Sequence, residues 1–304
     1  MSEKKYHLAL MMIVKNESKV ISETLKIISK NFNPDYWVIS DTGSSDNTKE
    51  IITDTMKELG IPGRFSDKEW VDFSTNRNHV LHEASKEAEY VITFDADDGI
   101  VGNFIMPKLD SDMYTLLVGC ESSKYNRPFI FSSKKNWLWN GILHEYISCL
   151  DKNYTTKNII GDYYVQHNRE NGSRSNDKHK YLKDALVFEM ALIDEKTPQE
   201  LIPRYTFYAG QSYKDCGNME RAIYFYKKTI KLSGWSEEKY LSCLFLGQYN
   251  LKKGNLLKAL SWFLKAPDFN EKRVEWALGA IECLPDASPL VLLNILITIP
   301  PNNM

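Results

Sequence analysis

The chain has 304 residues, 43% of them hydrophobic and 26% charged, which suits a soluble globular protein of up to two domains and excludes a largely disordered one. A formal net charge of −2 excludes a general electrostatic pull on nucleic acid, so any polyanion must be held by local groups and the expected ligand is small. The widely spaced Cys120, Cys149, Cys216, Cys243 and Cys283 form no CxxC pair, which speaks against a disulfide framework or a zinc site; they read as buried thiols in a reducing, cytoplasmic setting.

Leu8–Val14 is an apolar run that Lys15 interrupts too early for a secretory signal, and it is expected as a first strand. Ile21, Thr24, Leu25 and Ile28 then recur at helical spacing, and Tyr36–Ser40 reads as a second buried strand. Ser45-Asp46-Asn47 offers caps for a helix carrying Ile51, Thr55 and Leu59. A further helix from Ser74 to about Lys86 would bury Val80, Leu81 and Ala84 ahead of a third strand, Tyr90–Phe94. Strands alternating with helices imply right-handed crossovers and a mostly parallel sheet, with ligands beyond the carboxyl ends of the strands.

After Gly99 the alternation is lost. Tyr114–Gly119, Phe129–Ser132, Leu143–Cys149 and Asn158–Val165 are expected as shorter strands of mixed direction that extend the sheet. From His167 to Asp177 no residue is apolar, so this stretch reads as a linker or, with Arg169 and Arg174, as a lid; the domain boundary is placed there, giving domains 1–170 and 171–304. The second domain is expected to be all helical with an internal repeat: Gly210, Tyr213, Ala222 and Tyr226 are matched by Gly247, Asn250, Ala259 and Phe263, and Gly217-Asn218 by Gly254-Asn255. This helix–turn–helix spacing resembles tetratricopeptide repeats, which either buttress a neighbour or offer a groove to a protein partner or a second copy. The apolar stretch 289–299 is shorter than the roughly 20 residues that span a bilayer, so no transmembrane segment is expected.

The chemistry concentrates at three predicted strand ends. They carry Lys15-Asn16-Glu17, Asp41-Thr-Gly-Ser-Ser-Asp46 and Asp95-Ala-Asp97-Asp98, polar in a way that packing does not require. Three acids closing a buried strand repel one another unless a cation or a hydroxyl takes up the charge, and hard divalent ions choose such oxygens while phosphates complete their shell. An Asp-rich turn is the plain alternative.

Taken together, Met12-Ile-Val-Lys-Asn-Glu17, Asp41-Thr-Gly-Ser-Ser-Asp-Asn-Thr48, Trp70-Val-Asp-Phe-Ser-Thr-Asn-Arg-Asn78 and Phe94-Asp-Ala-Asp-Asp98 resemble the family-2 glycosyltransferases of GT-A fold. The resemblance covers roughly the first 170 residues. It implies an α/β domain with a Rossmann-like mixed sheet, followed here by the all-α tetratricopeptide-like domain. It implies a metal-dependent transfer of a hexose, with inversion, from a nucleoside diphosphate sugar, a UDP-sugar foremost, to a hydroxyl of a saccharide, glycan or protein acceptor, with Mn²⁺ or Mg²⁺ as cofactor.

By the same resemblance Asp95 meets the ribose and shares the metal with Asp97, and His167 completes the shell unless it is only a loop histidine. Glu17 and Asp41 would contact the nucleoside, or else serve as a first-turn acid and a turn residue. Arg77 would meet the pyrophosphate or clamp Asp95, a guanidinium fork suiting both. In Trp137-Leu-Trp139-Asn-Gly-Ile-Leu-His144-Glu145 the final acid resembles the family's acceptor-side base, so Glu145 is the first choice for that role and Asp98 the second; His144 is a metal or phosphate ligand or a core group, and the tryptophans are a sugar platform or core. A non-catalytic adaptor working through the helical repeats is the rival function. A sugar-phosphate nucleotidyltransferase is less favoured, since Lys15-Asn-Glu-Ser has no glycine to cradle a triphosphate.

Overall fold

The computed structural model describes residues 7–167 and 177–284. The stretch with Arg169 and Arg174, read above as lid or linker, and the apolar stretch 289–299 lie outside the described residues. The chain forms two compact units, Met1–Lys178 and His179–Met304.

In the first unit β1 (Leu8–Val14) is followed by α1 (Ile21–Phe32), β2 (Tyr36–Asp41), α2 (Thr48–Glu58), β3 (Gly63–Phe65), α3 (Phe73–Ala84) and β4 (Tyr90–Thr93). β1 lies between β2 and β4 and pairs with both in parallel. Its side chains alternate: Leu8, Leu10, Met12 and Val14 pack with Ile21, Leu25, Ile28, Ile52 and Met56 on the side of α1 and α2, whereas Ala9 and Met11 pack with Val80, Leu81 and Ala84 of α3. A strand covered on both faces reads as one continuous apolar run, which is why it is visible in the sequence. Each of the buried Leu, Ile, Val and Met side chains contributes about 1.5–3 kcal/mol by leaving water. Asp46, one residue ahead of the N-cap Asn47 of α2, accepts from Thr48 N at 3.1 Å, and Asp72 caps α3, accepting from Thr75 N at 2.7 Å.

The later strands are β5 (Asp98–Gly102), β6 (Met113–Cys120), β7 (Ser123–Ser132), β8 (Trp137–Asn140), β9 (Tyr146–Cys149), β10 (Thr156–Asn158) and β11 (Tyr163–His167). Among the described residues the main sheet has nine strands in the order β3-β2-β1-β4-β7-β6-β11-β5, with β10 beside β6. The mixed α/β sheet followed by helices agrees with the expected fold class, with specific corrections. β3 and β5 were not anticipated. Residues 158–165 supply parts of two strands, β10 and β11, and not one.

The segment 143–149 does not extend the sheet. Its strand β9 pairs with β8 in a separate hairpin, because Trp137 and Trp139 pack on Phe131 over the α3 side of the main sheet. Asn78 fixes the hairpin there by bonding both the N–H and the C=O of Trp139, at 2.7 and 2.8 Å. The cysteines also differ from expectation: Cys243 and Cys283 are buried, Cys149 is half-buried, and Cys120 and Cys216 are exposed, all as free thiols.

The second unit contains α4 (Lys180–Ile193), α5 (Ile202–Asp215), α6 (Met219–Lys231), α7 (Ser236–Lys252), α8 (Leu256–Lys265) and α9 (Glu275–Glu282). The two sequence copies fold as equivalent helix pairs, α5–α6 and α7–α8. Gly217 and Gly254 turn each pair at φ +85° and +74°, and the following asparagine N–H returns to Tyr213 O at 2.8 Å in one copy and to Asn250 O at 2.9 Å in the other. Gly210 lies against Phe225 and Tyr226, as Gly247 does against Phe263. No helix among the described residues is long and apolar enough to cross a membrane.

A β-carbon on Gly247 would come within 2.6 Å of the Phe263 ring, itself 1% exposed. Gly247→Val is therefore expected to destabilise the protein by about 1–3 kcal/mol, read as a lower urea midpoint at unchanged slope. An unshifted midpoint would show that α7 and α8 do not approach this closely.

Candidate functional site

The loops after β1, β2 and β4 emerge at one edge of the sheet because these strands are parallel. The first two loops are stitched together. Asn16, at φ 56° in the left-handed region that asparagine tolerates, accepts from Ser45 N at 2.7 Å, and its own N–H donates to Ser44 Oγ at 2.8 Å. Glu17 N donates to Thr48 Oγ1 at 2.8 Å. Asp41 uses Oδ1 to accept from Gly43 N and Ser44 N at 2.8 and 2.7 Å. Its Oδ2 is buried without a hydrogen-bond partner among the described residues. A buried acceptor in that state costs about 1–3 kcal/mol, so the edge holds a carboxylate oxygen suited to a ligand N–H or O–H.

The third loop is held from below by Thr24 of α1, whose hydroxyl donates to Ala96 O at 2.8 Å. Asp98 N donates to Asp95 O at 3.1 Å and Asp95 N returns to Asp98 Oδ2 at 3.0 Å, closing a tight turn. Arg77 of α3, 7% exposed, reaches two acids from opposite ends of its fork: Nη2 lies 2.6 Å from Asp95 Oδ1 and Nε 2.6 Å from Glu145 Oε1. Its guanidinium sits 5.1 Å from the centre of the Trp139 ring.

β5 and β11 pair antiparallel with Asp98 opposite His167, and His167 Nδ1 bonds Asp98 Oδ1. Arg127 of β7 closes the group, with Nη1 3.3 Å from His167 Nε2 and Nη2 3.4 Å from Asp95 Oδ2 and 3.7 Å from Asp98 Oδ2. One donor atom from each of Asp95, Asp98 and His167 lies within 4.8 Å of the others.

The electrostatics follow from these contacts. Burial of Asp95 favours its neutral form, but the charges of Arg77 and Arg127 outweigh it and hold the carboxyl well below the usual range. For Asp97 burial acts together with the charges of Asp98 and Asp95, and its carboxyl is pushed up. The Asp98 hydrogen bond raises the His167 imidazole. Arg77 is held above its ordinary value, because Asp95 and Glu145 overcome the opposing effect of burial.

The structure thus brings together Asp95, Asp98, His167, Arg77 and Glu145. Glu17 and Asp41 stand on the neighbouring loops of the same edge. Asp97 is half-buried in the third loop, outside the three-donor group. His144 is exposed at φ 50° and is not a core group. Sequence reasoning missed Arg127 and Asn78. The signal for Asn78 was present, since Asn76-Arg77-Asn78 is a polar run in the middle of a helix; Arg127 had no local signal. Two carboxylates and an imidazole suit a divalent ion such as Mn²⁺, and the raised Asp97 carboxyl marks negative charge that a cation would relieve.

Residues 9–107 match glycosyl transferase family 2. The matched stretch holds Glu17, Asp41, Arg77 and Asp95 to Asp98 and ends before Arg127, Glu145 and His167. A segment of 87 residues is 38% identical to poly-beta-1,6-N-acetyl-D-glucosamine synthase of Staphylococcus epidermidis, covering 27% of this chain and 19% of that protein. The chain therefore spans about a fifth of the length of that curated relative. Among solved structures, residues 1–349 of S. aureus TarS in complex with UDP align over 91% of this chain and 88% of theirs, at 14% identity and a TM-score of 0.39. Glucosyl-3-phosphoglycerate synthase from Mycobacterium tuberculosis, in complex with Mn²⁺, UDP and phosphoglyceric acid, aligns over 31% of this chain and 34% of its own, at 15% identity and a TM-score of 0.25.

Arg77→Met leaves Asp95 and Glu145 without their shared buried partner and is expected to cost about 3–5 kcal/mol. Adding Asp95→Asn and Glu145→Gln to the same chain should recover most of that loss, because the unpaired charge is then gone. Chemical denaturation of the two variants side by side checks this, and equal losses would mean that the ion pairs are not the cause.

Proposed function

We propose that the protein is a glycosyltransferase that moves a hexose from a nucleoside diphosphate sugar, a UDP-sugar, to a hydroxyl acceptor. The observation that carries this reading is the convergence, at the carboxyl ends of the parallel strands β1, β2 and β4, of an Asp41 oxygen that has no hydrogen-bond partner among the described residues with the Asp95–Asp98–His167 donor group. A nucleotide needs such a pairing: an acceptor oxygen for its base or ribose and a hard cation site for its diphosphate. The family match over residues 9–107 supports the same chemistry.

In this reading Glu17 and Asp41 hold the nucleoside. Asp95, Asp98 and His167, with Asp97 beside them, would hold Mn²⁺ or Mg²⁺, which when bound supplies charge stabilisation to the diphosphate leaving group. Arg77 fixes Asp95 and Glu145 in one geometry, so the donor side and the acceptor side of the reaction are set by one residue. Glu145 takes the proton of the attacking hydroxyl through a carboxylate already oriented by Arg77. Asp98 suits that task less well, since it is 2% exposed and engaged with His167 and Asp95 N. Direct attack with Glu145 as base gives inversion at the sugar carbon, and no covalent nucleophile is needed.

Residues 1–170 form the transferase domain and 171–304 a domain of two tetratricopeptide-like units. The matched helix pairs α5–α6 and α7–α8 support the repeat reading. Residues of α4 such as Met190 and Ile193, 69% and 83% exposed, support contact with a protein partner or a second copy. The acceptor is a saccharide, a glycan or a protein side chain.

Calorimetry with UDP is expected to show binding that depends on Mn²⁺ and is lost with chelator. Glu145→Gln keeps the acceptor oxygen for Arg77, so it should bind UDP within about threefold of the parent while transfer falls by about 10²–10⁴-fold. Asp97→Ala should remove metal-dependent turnover without unfolding the protein. Silence towards nucleotides under all conditions would leave the adaptor role in place of this one.

A further inference from the structure

Two arginines touch the carboxylates of the site, and they are held very differently. Arg77 is buried and makes two contacts of 2.6 Å. Arg127 has a side chain 30% exposed, rests on the Phe129 ring at 4.5 Å, and among the described residues makes long polar contacts, of 3.3, 3.4 and 3.7 Å. Short buried ion pairs are costly to break, whereas long, partly solvated ones exchange readily. The partners of Arg127 are His167, Asp95 and Asp98, the same three residues whose donor atoms cluster within 4.8 Å. Because His167 turns Nδ1 to Asp98, the nitrogen facing Arg127 is Nε2. That nitrogen is also the one left for a metal.

We infer that Arg127 and a divalent ion are alternative partners of Asp95, Asp98 and His167, so that a nucleoside diphosphate opens the metal position by giving the guanidinium another anion to hold. This rests on the nucleotide-sugar reading above. A guanidinium and a dication repel at contact distance, so the same three side chains do not serve both at once. A diphosphate offers the fork paired oxygens, to which arginine binds with charge-assisted bonds. Metal and nucleotide then strengthen each other's binding by an equal factor, as linkage requires.

The test is Mn²⁺ binding to the full chain, followed by the loss of the free-ion electron paramagnetic resonance signal, with and without UDP. In the parent protein UDP should tighten Mn²⁺ binding on the order of tenfold or more. Arg127→Met should bind Mn²⁺ without UDP on the order of tenfold more tightly than the parent, and UDP should add less. Arg127→Lys separates a latch from a general field effect, because it keeps the charge but not the fork that spans three partners. It should resemble Arg127→Met in the absence of UDP. If Arg127→Lys matches the parent while only Arg127→Met binds more tightly, charge alone acts and the inference is overturned. It is equally overturned if both variants match the parent. In those two cases, UDP-dependent Mn²⁺ binding by the parent leaves the transferase reading standing, whereas a parent that binds no Mn²⁺ even with UDP ends both. Thermal melting of each variant establishes that it is folded, and Arg127→Lys carries the test alone if Arg127→Met is not.

Discussion

A single buried guanidinium organises the first unit. Arg77 leaves water almost completely, which is tolerable only with two carboxylates in contact, and those carboxylates come from different parts of the chain. Asp95 lies in the loop two residues beyond the central strand β4, while Glu145 follows the β8–β9 hairpin's first strand. The helix that carries Arg77 also carries Asn78, which binds the backbone of that hairpin, and Asn76, whose side chain accepts from Val71 N and donates to Glu69 O. Three consecutive polar residues therefore tie a loop, a strand end and a hairpin to one helix. This accounts for the burial of a polar run that would otherwise weaken α3.

The topology explains why half of the unit is insufficient. The parallel strands β2, β1 and β4 present the acids, but the groups that complete the site come from the mixed part of the sheet. β7 brings Arg127, and the β5–β11 pair sets His167 opposite Asp98. A family match that stops at residue 107 thus contains most of the candidate nucleotide contacts together with Arg77, and lacks Arg127, Glu145 and His167.

How much of this was legible in the sequence depended on whether the cause was local. β1, β2 and β4 were readable because burial on both faces demands unbroken apolar runs. The acids of Asp41 and Asp95 to Asp98 were readable because no packing need accounts for them at strand ends. The repeat in the second unit was readable from glycines that permit close helix contact and left-handed turns. β3 was missed because three residues carry no period, and β5 because its side chains are half-exposed between glycines. The segment 143–149 does not join the main sheet as expected, since what holds its hairpin is an asparagine 61 residues from Trp139. Arg127 gave no sign for the same reason: its partners Asp95 and His167 lie 32 and 40 positions off. Two cysteines escape the core because they sit at element ends, Cys120 closing β6 and Cys216 just after α5, where they stay exposed.

Those exposed thiols have a use of their own. Cys120, at the end of β6, and Cys216, just after α5, are exposed and belong one to each unit, while Cys243 and Cys283 are sealed inside the helical core. The native protein therefore supplies its own pair of attachment points for fluorescent dyes or spin labels. Distances between two such labels would report the arrangement of the two units in solution, with only the half-buried Cys149 to be replaced beforehand.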